Sequence, residues 1–426
     1  MKEQKKQTRT YGQNKKTRSG QSGYPKVREN HGSKQVVKSA KETSGKNPDV
    51  CSYAEKCGAC TYINLPYAKQ LKKKQKAVQE LMGELCPVHP IVGMEQPLHY
   101  RHKVHAVFGC DAKGHPVYGV YQAGTHNILS VKDCLIEDTQ SAAIIRTIGG
   151  LLRSFKIRTY DERSGYGLLR HVVIRKGYAT GEVMVILVVT DPVFPSRKNF
   201  VKVLREKHPE ITTVVLNIND KDTTMVLGSR DIVLYGKGYI EDELDGLRFR
   251  ISPQSFYQVN PPQAEKLYRL AIDAAGLTGK ERVLDAYCGT GTIGIAASRK
   301  AREVIGVELN RDAVKDAIQN AKLNQRKNIR FYCADAGIFM EQLAESGEQI
   351  DVVIMDPPRS GSTEAFLSSM KTLSPKRVVY VSCNPETLKR DLEWLTSNGY
   401  EAKGAWPVDM FGGTNHCEVV TSLIRK

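Results

Sequence analysis

The chain has 426 residues, 40% hydrophobic and 26% charged, with 63 Lys/Arg against 46 Asp/Glu and a formal charge of +17. That length exceeds one ordinary domain of roughly 100–200 residues, and the composition is that of a soluble globular protein. The longest apolar run, Val183–Val189, falls far short of the roughly 20 residues a membrane helix needs, and no apolar segment follows the first ten residues; a membrane or secreted protein is excluded and a cytoplasmic one expected.

Residues 1–50 carry 13 Lys/Arg and 4 Asp/Glu, more than half of the net charge. Rich in Gly, Ser, Gln and Asn, residues 1–49 have little to bury and are expected to form a basic, disordered tail. Such a tail is either solubilising or an electrostatic arm for a phosphate backbone. The arm is favoured because a polyanionic partner is indicated independently below.

Residues 50–92 open on Cys51, Cys57 and Cys60, three thiols within ten residues. In a cytosolic chain this clustering points to a metal site rather than to disulfides. A fourth ligand is needed, and spacing alone allows Cys86, Cys110 or Cys134. Zinc and an iron–sulfur cluster both fit four thiolates. A strongly basic amphipathic helix is predicted over about Pro66–Leu85, carrying Lys69, Lys72, Lys73, Lys74 and Lys76.

Residues 93–250 read as a central, β-rich domain. Val104–Phe108, His171–Arg175, Val183–Thr190, Thr213–Asn219 and Arg248–Ile251 are short β-prone runs broken by Gly, Asp and Asn. Helices are predicted near Thr139–Phe155 and Arg197–Lys207.

Over residues 251–426 the texture changes to alternating strands and helices. Apolar runs at Arg282–Ala286, Glu303–Val307, Ile329–Cys333, Asp351–Met355 and Arg377–Ser382 alternate with helical segments at Gly294–Arg299, Arg311–Leu323, Ala336–Leu343 and Pro385–Thr396. This predicts an α/β domain whose parallel sheet is covered on both faces. The terminal EVVTSLI run suits a closing hairpin.

Ligands of such sheets sit beyond the carboxyl ends of the strands. There the run Val283–Ala296, VLDAYCGTGTIGIA, gives a strand, a glycine turn and a helix start, and Glu308 ends the next strand. Glycines allow close approach, and an acid at that second strand end accepts ribose hydroxyls. No phosphate-binding lysine follows, which excludes a triphosphate loop. Asp335, at the third strand end, either caps the following helix or meets an adenine amino group. The pattern resembles class I (Rossmann-like) S-adenosylmethionine methyltransferases.

The fourth strand runs into Asp356-Pro357-Pro358-Arg359 and the fifth into Ser382-Cys383-Asn384-Pro385, while Glu418 begins the last strand. A cysteine suits methylation of a poor carbon nucleophile, uracil C5. Thiolate addition at C6 makes C5 electron-rich, and a base must then remove the C5 proton. Cys383 and Glu418 are the candidates. Cys288 lies in the cofactor turn, and Cys417 points away from Glu418 if both are in a strand.

Taken in order, SFYQVNP (Ser255–Pro261), DAYCGTGTIG, DPPR, SCNP and HCEVV resemble the RNA 5-methyluridine methyltransferase family, over a span from about Cys51 to the C-terminus. The resemblance implies that Cys383 is the nucleophile and Glu418 the proton acceptor. It also implies that Gln258, Tyr287, Glu308 and Asp356 contact S-adenosylmethionine. Members acting on 23S rRNA carry C-x5-C-G-x-C and a distant cysteine around a 4Fe-4S cluster. Cys51, Cys57, Cys60 and Cys134 match that set, which implies an iron–sulfur segment and a 23S rRNA substrate.

Many relatives begin with a small β-barrel, which residues 1–50 are too polar to form, and Thr292 stands where some have Asn. RNA capture is then expected from the tail, the lysine-rich helix and the central domain. No obligate protein partner is evident. The alternatives are the same reaction on tRNA or another RNA, and an iron–sulfur RNA-binding or assembly protein without methyl transfer. The joint presence of Cys383, Glu418 and Asp356 argues against the latter.

Overall fold

The computed structural model describes residues 50–111 and 113–426, which belong to one compact unit. The basic tail expected at 1–49 lies outside them. Among the described residues no helix is long and apolar enough to cross a membrane.

Two seven-stranded sheets organise the chain. The first runs, in spatial order, Ile128–Leu129, Pro116–Tyr121, Lys103–Cys110, Leu169–Lys176, Val183–Val189, Ile211–Ile218 and Arg230–Tyr235. Its pairs are antiparallel except Val183–Val189 with Ile211–Ile218. The parallel exception follows from the helix Arg197–Lys207, since two parallel neighbours need a crossover rather than a hairpin. That helix and Thr139–Leu151 cover one face through Ile144, Ile148, Phe200 and Leu204. The other face packs Val173, Met184, Ile186 and Val188 against Ile240 and Ile251, so this sheet is apolar on both sides.

The second sheet runs Ile329–Cys333, Glu303–Glu308, Arg282–Ala286, Val352–Met355, Arg377–Ser382, Glu418–Arg425 and Tyr400–Val408. The first five strands are parallel, and the last two form the expected antiparallel hairpin. Near-continuous apolar runs form these strands because helices cover both faces. Helices Pro261–Ala275, Thr292–Ala297 and Arg311–Leu323 bury Leu267, Ile293 and Ala321 on one side. Helices Ala336–Glu345, Glu364–Leu373 and Pro385–Ser397 bury Met340, Phe366 and Leu392 on the other. Strand order reverses between Arg282–Ala286 and Val352–Met355, which opens a crevice at their carboxyl ends.

The lysine-rich helix forms at Tyr67–Met82 but does not lie wholly on the surface. Val78 and Met82 join the core under the second sheet. Lys74 is fully buried, and its Nζ meets Asp409 Oδ1 at 2.6 Å. It is therefore not an RNA-binding lysine as its neighbours were expected to be. Removing one member of such a pair strands a buried charge, at about 3–5 kcal/mol.

Candidate active site

The glycine turn between Ala286 and Thr292 is built on tight backbone. Tyr287 takes φ +61°, a left-handed conformation that costs a bulky residue of order 1–3 kcal/mol and tends to mark a site. Its hydroxyl lies 3.2 Å from Ser362 Oγ and its ring packs on Phe366. Gly291 has φ +81°, and a Cβ there would meet Phe331 at 2.8 Å, so only glycine fits. Beneath the turn Asp285 accepts from Gly294 N at 2.7 Å, and burial raises its carboxyl to about 8.

Glu308 reaches back to the same turn. Its carboxylate accepts from Gly289 N at 3.1 Å and Asn310 N at 2.7 Å. An ionised carboxylate offers about four acceptor positions, so two remain for a ligand's hydroxyls. Asp335 caps its helix by accepting from Ile338 N at 3.1 Å. Leu309 and Ile338, beside these two acids, are exposed apolar side chains and were missed in the sequence. Their signal was an apolar residue one position after Glu308 and three after Asp335, which periodicity does not weigh.

Gln258 is buried in the segment before the helix Pro261–Ala275. Thr290 Oγ1 donates to Phe256 O at 3.4 Å, which ties that segment to the glycine turn. The buried Arg175 of the first sheet donates to Ser252 O and Ser255 O, clamping it from the other side. No sequence motif announced this role for Arg175.

The reactive groups meet at the next strand ends. Ser382 pairs with Val419 at the last rung of that ladder, so Cys383 and Glu418 are the next residues on the two chains, and the Glu418 and Asp356 charges both act on the Cys383 thiol. Cys383 is half-buried and Glu418 is 3% exposed. Burial, then Glu418 and Asp356, push the Cys383 thiol up to about 11. Burial and the Asp356 charge raise Glu418 to about 8, while burial raises Asp356 to about 7. Arg359 opposes both the Cys383 and the Glu418 shifts. Cys288 and Cys417 are buried away from solvent.

The four N-terminal candidates converge elsewhere. Cys51, Cys57, Cys60 and Cys134 line one cavity of about 280 Å³, together with Arg101, Lys103 and His105. Gly58, at φ +68°, ends the short helix Ala54–Cys57, and a Cβ there would strike Ala123 at 2.5 Å. Cys86 is packed in the core, and Cys110 lies 3.1 Å from Thr159 Oγ1. Among the described residues no three His, Cys, Asp or Glu side chains gather tightly enough to hold a single metal ion.

With this geometry the chain compares closely with known proteins. Residues 66–426 match the family model described as tRNA (Uracil-5-)-methyltransferase. An uncharacterized RNA methyltransferase of Caldanaerobacter subterraneus subsp. tengcongensis is 43% identical over 383 residues, 89% of this chain and 84% of the relative. One of Oceanobacillus iheyensis is 39% identical over 407 residues, 94% of this chain and 88% of the relative. The crystal structure of Pyrococcus abyssi tRNA (uracil-54, C5)-methyltransferase in complex with S-adenosyl-L-homocysteine superposes with a TM-score of 0.72 at 27% identity, covering 86% of this chain and 85% of that one. The chain belongs to the tRNA (uracil-5-)-methyltransferase family of RNA methyltransferases.

Proposed function

We propose that this chain methylates C5 of a uridine in RNA through a covalent bond between Cys383 and uracil C6. The observation that carries the reading is that Cys383 and Glu418 are the next residues beyond the last rung of one strand pair, with the Glu418 and Asp356 charges acting on the thiol. The Cys383 thiolate adds to C6 and the C5=C6 electron pair moves to form an enolate. S-adenosylmethionine supplies the electrophilic methyl group that C5 takes. Glu418 then accepts the C5 proton, the double bond re-forms, and the C6–S bond breaks to return the thiolate. One methyl enters, one proton leaves, and Cys383 is restored.

The cofactor reading rests on the crevice. Glu308 retains free acceptor positions for ribose hydroxyls, Leu309 and Ile338 offer apolar faces to an adenine ring, and we assign Gln258, Tyr287 and Asp356 to the same cofactor site. We assign a 4Fe-4S cluster to Cys51, Cys57, Cys60 and Cys134. Four thiols around an open cavity support it over zinc, which needs its sulfurs about 2.3 Å from one point. All ten cysteines are unpaired, which suits a reducing cytoplasm.

The substrate we favour is 23S rRNA, on the strength of the cysteine motif. A tRNA substrate is the second reading, favoured by the family model and by the named target of the Pyrococcus abyssi enzyme. Mapping 5-methyluridine in both RNAs from cells lacking this protein separates them. The chemistry is tested with 5-fluorouridine RNA and S-adenosylmethionine. Fluorine cannot leave as a proton, so a denaturation-resistant adduct is expected, and its persistence in Cys383→Ala would reject the nucleophile.

A further inference from the structure

We infer that the stretch Thr61–Lys74 belongs to the catalytic apparatus, because it fixes the hairpin loop Asp409–Cys417 and so positions Glu418 against Cys383. This deepens the uridine-C5 reading and rests on it.

The loop joins Tyr400–Val408 to Glu418–Arg425, and Val408 pairs with Glu418 across its closed end. Nothing separates the loop's last residue from the proposed base. Three side chains at helical spacing, Tyr67, Gln70 and Lys74, present one face to it. Lys74 Nζ donates to Asp409 Oδ1 at 2.6 Å and to Phe411 O at 3.0 Å. Tyr67 OH donates to Asp409 Oδ2 at 2.9 Å. Gln70 Oε1 accepts from Gly413 N at 2.8 Å. Immediately after Cys60, Thr61 Oγ1 donates to Asn415 Oδ1 at 3.4 Å and Tyr62 N to Gly413 O at 2.7 Å. Tyr100 OH adds a bond to Gly412 O at 3.0 Å.

A fully buried Lys–Asp pair is a poor way to gain stability, since apolar residues of similar size serve packing as well or better. What the pair supplies is direction. It fixes the loop by two polar ends rather than by adaptable contacts, and it does so next to a carboxylate whose reach to C5 must be held closely. Cys60 immediately precedes this strip, so the four-thiol cavity and the support of the proposed base are contiguous in the chain.

The test uses the full chain, S-adenosylmethionine and RNA with ordinary uridine. Glu418→Gln is expected to accumulate a methylated Cys383 adduct that survives denaturation, because the C5 proton has no acceptor. Lys74→Met is expected to accumulate the same adduct in part and to lower kcat roughly 10- to 100-fold, with the rate of adduct formation unchanged and the apparent KM lowered along with kcat. Lys74→Met with Asp409→Asn removes both charges at once, so it keeps the fold in thermal melting and still accumulates adduct. Slow turnover without adduct in both variants would leave Lys74 with a folding role alone and overturn the inference. Absence of adduct in Glu418→Gln would instead reject Glu418 as the base, and the positioning role with it.

Discussion

Glu418 and Cys383 are the next residues beyond the last rung of their strand pair, Val419 with Ser382, and both groups are held in their neutral forms more than free side chains are. A thiol at about 11 is ionised to roughly one part in 3,000 at pH 7.5. Since kcat/KM reports groups of the free enzyme, it is expected to rise roughly three- to tenfold per unit from pH 7 to 9, without a plateau. A flat profile over that range would mean that another residue is the nucleophile.

Arg359 is the counterweight. It lies in the Asp356–Arg359 turn and lowers both the Cys383 and the Glu418 values against their other neighbours. Arg359→Gln should therefore raise both. The expected result is a kcat/KM reduced by a roughly constant factor of about ten from pH 7 to 9, because both thiols titrate above that range and the thiolate fraction falls equally throughout it. An RNA affinity weakened enough to account for the whole loss would assign Arg359 to substrate binding instead.

The proposed base is held at a cost to the fold. Its folded value of about 8 lies above the ordinary 4.5. A group raised in this sense stabilises fully below pH 4.5, and that contribution is lost as pH rises through about 8. Above that, wild type buries a charge that Glu418→Gln does not. Glu418→Gln is thus expected to be the more stable protein at pH 8.5, by on the order of 4–5 kcal/mol, with the gap closing toward pH 4.5. Thermal melts at the two pH values measure it; equal melting points at pH 8.5 would show that the carboxylate is solvated.

The parallel sheet was legible because its strands are unbroken apolar runs with polar groups at their ends, and position alone put Glu308, Asp356 and Cys383 at strand ends and Glu418 at a strand start, while their roles came from the family resemblance. The helices Pro261–Ala275 and Glu364–Leu373 were not marked, since each mixes apolar and polar residues according to long-range neighbours. Arg175 and Lys74 were hidden for the same reason. A charge buried by a partner 80 or 335 residues away reads locally as a surface charge.

That distinction separates the lysines of the first long helix. Lys69, Lys72, Lys73 and Lys76 are exposed, whereas Lys74 is not. If the exposed set meets phosphates, changing Lys69, Lys72 and Lys73 to Gln releases three fewer counterions. The slope of log affinity against log salt should then fall by about 2 for single-stranded RNA. Lys74→Met should leave that slope unchanged. An unaltered slope in the triple variant would put the RNA path on another surface.

The cysteine cavity makes the last prediction. Cys134 reaches the three clustered thiols from a distant part of the chain, while Cys86 sits among Val78 and Met82 in the core, and Cys110 borders a different cavity. Protein purified without oxygen is expected to be brown, with iron and sulfide in equal amounts. Cys134→Ser should lose most of the colour, because the site then has three of four thiolates. Cys86→Ser and Cys110→Ser should keep it, since neither thiol faces the cavity. The serine at 86 is instead expected to lower stability by about 1–3 kcal/mol, through burial of a hydroxyl among apolar neighbours. A colourless preparation carrying zinc would overturn the cluster while leaving the methyl-transfer site untouched, since Cys383 and Glu418 lie on the other sheet.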